Sequence, residues 1–106
     1  MISEATIQQA VERLVAAANQ SKVILFGSYA RGDATEDPDL DLMVIERELP
    51  NKFEEMVRLR QELRPLRIPV DVLVYSQEYV DDWGHLPGSA LYWALREGRV
   101  LHEIRT

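Results

Sequence analysis

The amino-acid sequence predicts an α/β domain, a small mixed β-sheet flanked by helices. Three observations carry that prediction. Two long segments place apolar residues at helical spacing, three short runs rich in β-branched residues read as strands, and the two patterns interleave along the chain. At 106 residues the chain suits one domain, residues 1–106, and is too short for two ordinary ones. A chain of this length buries roughly 60–70% of its unfolded surface, enough for one core.

The first element is a helix over about residues 3–20. Ser3 is the candidate N-cap, and Ile7, Ala10, Val11, Leu14, Val15 and Ala18 recur at helical spacing. The run KVILFG (22–27) reads as a buried strand. Gly27-Ser28 interrupts it, SYAR begins a helical turn, and GDATEDP (32–38) has the composition of a loop. DLDLMVIE (39–46) alternates, with Asp39, Asp41 and Met43 facing one way and Leu40, Leu42 and Val44 the other, so it is a strand. Residues 51–64 read as a second long helix, with Asn51 as cap and Phe53, Met56, Val57, Leu59 and Leu63 on one broad side. Pro65 and Pro69 bracket its end, and PVDVLVYS (69–76) is a third strand. Ser76 caps a short helix through about Trp83. A last helix over about 88–97 stops at Gly98, and RVLHE forms either a short edge strand or a packed tail. The short link between the first two strands allows an antiparallel pair; the helix between the second and third allows a parallel crossover.

Hydrophobic residues make up 46% and charged residues 28%, which argues against disorder of the whole chain. Acidic residues outnumber basic ones by 18 to 12, a net charge of −6, which argues against a main affinity for nucleic-acid backbone. There is no cysteine, hence no disulfide and no thiolate metal site, and His85 and His102 form no ligand pattern. MISEATIQQAVERLV lacks a basic segment followed by a long apolar run, and no stretch approaches the ~20 apolar residues of a membrane span. A cytoplasmic location is therefore expected.

Three carboxylates stand out by position. Asp39 and Asp41 sit two residues apart on one strand, so they share a face about 6.6 Å apart along the chain. Asp71 interrupts the apolar pattern of PVDVLV, where Asp is disfavoured. If the second and third strands are neighbours, Asp71 lies beside the other two. Converging carboxylates raise one another's pKa values, a conflict that a divalent cation removes. Oxygen-only ligation suits Mg²⁺ or Mn²⁺, not Zn²⁺. Two such ions roughly 3.5–4 Å apart form the clamp used in phosphoryl and nucleotidyl displacement. A solvated face for the Asp pair and a strand-edge role for Asp71 are the plainer readings of each taken alone. Gly27-Ser28 directly follows a strand, where glycine permits close backbone approach and helix-start amides can hold phosphate oxygens. It is neither a Walker-type loop nor a dinucleotide fingerprint. Arg31 either contacts phosphate or braces the turn by pairing with a carboxylate, the brace being the favoured reading. Glu46, Glu48, Glu54, Glu55, Asp81 and Asp82 read as solvated charge. Arg58, Arg60, Arg64 and Arg67 read as surface helix charge, from which no single residue can be chosen to reach a phosphate. Trp83, Tyr92 and Trp93 are either core aromatics or a partner surface.

The stretch FGSYARGDATEDPDLDLMV resembles the signature of the nucleotidyltransferase fold shared with DNA polymerase beta: a hydrophobic residue, Gly, Gly or Ser, a spacer of about ten, then Asp-x-Asp. Here Gly27-Ser28 is followed by residues 29–38 and then Asp39-Leu40-Asp41, with Pro38 where the family often has Ser. The chain is similar in length to the family's minimal nucleotidyltransferases (MNT proteins), and GSALYWALREGRVLHE resembles their tail. The resemblance implies a polymerase beta-like palm. It implies that Asp39 and Asp41 bind two Mg²⁺ ions (Mn²⁺ as alternative), and that Asp71 binds the catalytic ion and helps deprotonate an attacking hydroxyl. It implies that Gly27 and Ser28 hold the β- and γ-phosphates of ATP, with Arg31 a further candidate. The implied reaction is transfer of AMP to a hydroxyl, commonly a tyrosine, of a small helical HEPN toxin, for which the MNT protein is antitoxin. The acidic charge fits a basic partner. The chain is expected to work as a homo-oligomer or in a hetero-complex. A purely steric antitoxin and an aminoglycoside-type nucleotidyltransferase are the competing readings.

Overall fold

The computed structural model describes residues 2–32 and 38–104. Residues 33–37, most of the expected loop 32–38, lie outside the described residues. The elements run α1 (Glu4–Ala17), β1 (Ser21–Phe26), α2 (Ser28–Arg31), β2 (Leu40–Glu46), α3 (Lys52–Leu63), a 3₁₀ turn (Arg64–Leu66), β3 (Val70–Ser76), α4 (Gln77–Trp83), α5 (Ala90–Glu97) and β4 (Arg99–His102).

Local chemistry sets most of these boundaries. The Ser3 hydroxyl accepts the Thr6 amide at 3.1 Å and caps α1. The helix ends three residues short of the expected Gln20. Gln20 takes a left-handed backbone (φ 58°), and the Ser21 hydroxyl donates to the Ala18 carbonyl at 2.6 Å, satisfying a helix-end acceptor. Asn51, Ser76 and Ser89 cap α3, α4 and α5, each accepting the amide three residues on at 3.0–3.1 Å. Helix α5 therefore starts at Ala90, two residues later than expected. Gly98 is extended (φ −72°), so it is no left-handed stop. A Cβ there would stand 2.2 Å from the Ala94 carbonyl oxygen and 2.5 Å from Ile24 Cγ2, so glycine lets α5 turn directly against β1.

The described residues form a four-stranded sheet in the order β3-β2-β1-β4. β1 pairs antiparallel with β2 and with β4, and β3 pairs parallel with β2 across the α3 crossover. RVLH is thus an edge strand and not a tail. One face of the sheet presents Val23, Leu25, Leu40, Leu42, Val44, Val72 and Val74 to α1 and α3. The other presents Ile24, Met43 and Ile45 to Leu91 and Ala94 of α5. Both faces of β2 are therefore covered, although the alternation of Asp39, Asp41 and Met43 suggested one polar face.

The broad apolar side expected for α3 is narrower than the sequence suggests. Leu59 and Leu63 are buried with Met56 against them, whereas Phe53 is 73% exposed and Val57 41% exposed. At about 100° per residue, Met56, Leu59 and Leu63 fall within one stripe while Phe53 and Val57 are rotated away from it. Glu46 also departs from expectation. It is 7% exposed, at the end of β2, beside Glu55 of α3. Arg58 holds Glu55 through two bonds of 2.7 and 2.8 Å. Strand β2 is central, so its last side chain is covered where a loop residue would be solvated.

Candidate active site

Strand register brings the candidate residues to one end of the sheet. Phe26 is the partner of Asp41 across β1 and β2, and Asp41 is the partner of Asp71 across β2 and β3. Gly27 follows Phe26 and leaves the strand at φ 73°, ψ −154°, a region essentially reserved for glycine. A Cβ at Gly27 would stand 2.3 Å from Asp41 Oδ2. Glycine is thus favoured twice, by its backbone angle and because any side chain would displace the Asp41 carboxylate.

The turn is closed by the Gly27 carbonyl, which accepts the Ala30 and Arg31 amides, each at 3.1 Å. The first amides of such a turn have no intrahelical acceptor. Tyr29, which the sequence did not single out, ties the turn to the start of the chain: its hydroxyl accepts the Ile2 amide at 2.9 Å. Ser28 is half-buried beside Gly27.

Asp41 is half-buried, and Asp39 is exposed just ahead of β2. Burial raises the Asp41 pKa first, followed by the charges of Asp71 and then Asp39, while the Arg31 guanidinium opposes them. Asp41 therefore feels both other carboxylates, and Arg31 is near enough to stabilise it. Arg31 also has a contact of its own, so it is not an idle charge.

Asp71 has a partner that sequence reasoning did not isolate. Arg60 Nη2, from α3, donates to Asp71 Oδ1 and, at 3.3 Å, to the Val72 carbonyl. The spacing of Arg58, Arg60, Arg64 and Arg67 carries no signal for this pairing, which depends on how α3 lies against β3. As the side chains stand, no group of three acidic or histidine side chains among the described residues is placed to hold a metal ion. The donors themselves suit a hard divalent cation, being all oxygen, with two carboxylates at adjacent register positions and a third two residues away. The Asp71 side chain is 46% exposed, which leaves it room to change rotamer.

Elsewhere, Trp83 and Trp93 are 52% and 50% exposed and are not core, while Tyr92 is half-buried. Tyr75, Tyr79 and Trp83 follow one another along β3 and α4, with ring centroids 5.3 and 6.4 Å apart. No described helix is long and apolar enough to cross a membrane.

Comparison with known proteins gives a consistent result. Residues 5–91 match the family described as Nucleotidyltransferase domain. A protein of Methanocaldococcus jannaschii, provisionally named a protein adenylyltransferase, is 33% identical over 87 residues, 76% of this chain and 77% of its own length. A solved structure provisionally described as a minimal nucleotidyltransferase is 30% identical, with a TM-score of 0.62, covering 93% of this chain and 95% of that one. The fold is shared with a chain from a Shewanella oneidensis complex, a tri-AMPylated HEPN toxin with its MNT antitoxin. The TM-score is 0.63 at 17% identity, over 96% of this chain and 73% of that one.

Proposed function

We propose that this chain, which belongs to the nucleotidyltransferase domain family, transfers AMP from ATP to a hydroxyl of a partner protein. The observation that carries the reading is the juxtaposition of Gly27, Asp41 and Asp71. A turn that favours glycine is seated on a strand carboxylate whose neighbour in the sheet is a second carboxylate. That arrangement places a phosphate-binding backbone next to a cluster of anionic ligands.

Asp39, Asp41 and Asp71 would hold Mg²⁺, or Mn²⁺ in its place. When bound, the metal neutralises charge on the entering and leaving oxygens. Gly27 and Ser28 hold the β- and γ-phosphates, with Tyr29 fixing the turn from behind. Arg31 braces Asp41 in its ionised form. Asp71 takes the proton of the acceptor hydroxyl as that oxygen bonds to the α-phosphorus; the bond from the α-phosphorus to the bridging oxygen breaks, and pyrophosphate leaves with both bonding electrons. Residues 1–106 act as one catalytic domain. The relative named as a protein adenylyltransferase and the fold shared with a chain of a HEPN–MNT complex support a HEPN-type toxin as acceptor and an antitoxin role. The net charge of −6 suits a basic partner. A cytoplasmic setting goes with this reading, since it supplies ATP.

The test is incubation of the chain with α-labelled ATP, Mg²⁺ and a candidate HEPN protein, read by intact mass. The expected result is a gain of whole AMP units on the partner, lost in Asp41→Asn. A tight complex without mass gain, unaffected by Asp39→Asn and Asp41→Asn, would instead make the protein a steric antitoxin. Transfer to an aminoglycoside with no protein present would make the acceptor a small molecule.

A further inference from the structure

Asp71 stands opposite Asp41 in the sheet, yet its carboxylate is engaged by an arginine from a different element. We propose that Arg60 is a positioning residue: an internal counter-ion that holds Asp71 off the metal site until a divalent cation displaces it. This inference rests on the functional reading above.

Three features support it. Arg60 is held to β3 by two acceptors, Asp71 Oδ1 and the Val72 carbonyl, so it keeps an anchor when Asp71 leaves. β3 is an edge strand, which leaves its outer side open to a side chain arriving from α3. The pair is half-exposed, at 45% and 46%, so solvent weakens it enough for a divalent ion to compete. Arg58, two residues nearer the start of α3, cannot substitute, because Glu55 holds it through two bonds. The geometry therefore gives Asp71 two alternative partners. The guanidinium neutralises it in the free protein, and the cation takes it in the loaded one. Without Arg60, Asp71 and Asp41 would face each other with no described side chain bonded to Asp71.

The test measures Mn²⁺ binding to the whole chain, without nucleotide, from the free-ion electron paramagnetic resonance signal. Arg60→Gln is expected to tighten Mn²⁺ binding by about tenfold, since Asp71 is released from its counter-ion and becomes available to the cation. Arg60→Lys, which keeps the charge but loses the planar fork, is expected to lie between the two. The decisive arm repeats Arg60→Gln in an Asp71→Asn background, where the change should have no effect on affinity. Equal tightening in both backgrounds would make Arg60 a general charge and overturn the latch, as would unchanged or weaker binding in Arg60→Gln. If Arg60→Gln is poorly folded by circular dichroism, Arg60→Lys carries the same comparison. Failure of the functional reading looks different: Mn²⁺ affinity insensitive to Asp39→Asn and Asp41→Asn would remove the metal site itself, and the latch with it.

Discussion

Among single residues, Gly27 carries both a backbone and a packing constraint. Its φ of 73° with ψ of −154° is a region other residues rarely adopt, and with Asp41 Oδ2 at 2.3 Å any side chain there would have to displace the carboxylate. Gly27→Ala is expected to destabilise the fold by about 1–3 kcal/mol, the cost of a residue held in such a region. It should also push Asp41 out of place, so nucleotidyl transfer should fall further than stability alone explains. Urea denaturation and a transfer assay on the folded fraction measure the two losses separately. A variant with full activity and wild-type stability would show that the turn is looser than its geometry indicates. Gly27 was legible in the sequence as a strand-ending glycine before a helical turn. Its contact with Asp41 was not, because that contact depends on the antiparallel register of Phe26 with Asp41.

Among the secondary-structure elements, α3 links stability to the site. It forms the parallel crossover that makes β2 and β3 neighbours, and it supplies Arg60. Its start depends on the Asn51 side chain, which accepts the Glu54 amide at 3.0 Å, and Glu54 and Glu55 in the first turn favour the positive end of the helix dipole. Asn51→Ala is expected to cost about 1 kcal/mol, seen as a lower urea midpoint with an unchanged slope. A changed slope would mean that α3 frays independently of the remainder. Caps were readable from sequence because they are local: one side chain and an amide three residues on. The buried stripe of α3 was not. Phe53 and Val57 look apolar enough for a core, but the position of β3 and α1 selects Met56, Leu59 and Leu63 instead.

For the molecule as a whole, the pH dependence of stability reports on Glu46, whose pKa is pushed up to about 8 by burial, by its hydrogen bond to Glu55 and by that residue's charge, against a smaller pull from Arg58. Folded Glu46 keeps a proton that the unfolded chain gives up near the ordinary value of 4.5. This contribution is therefore fully present at low pH and is lost as pH rises from about 5 to 8, at roughly 1 kcal/mol per pH unit. The lowered pKa of Glu55, held chiefly by Arg58, acts only below its ordinary value, so the two effects occupy separate ranges. Glu46→Gln, which mimics the protonated form, should flatten the slope, and denaturation midpoints at pH 5.5, 6.5 and 7.5 would show it. A wild-type protein equally stable at all three would contradict the buried carboxyl. The α/β class, the order of the elements up to α5, the caps Ser3, Asn51 and Ser76 and the residue types of the candidate site were readable along the chain, because spacing, propensity and turn chemistry are local. Folding alone sets Asp71 beside Asp41, brings Arg60 to Asp71 and buries Glu46. Those contacts join residues far apart in the chain, and they exist only once strand order and register are set.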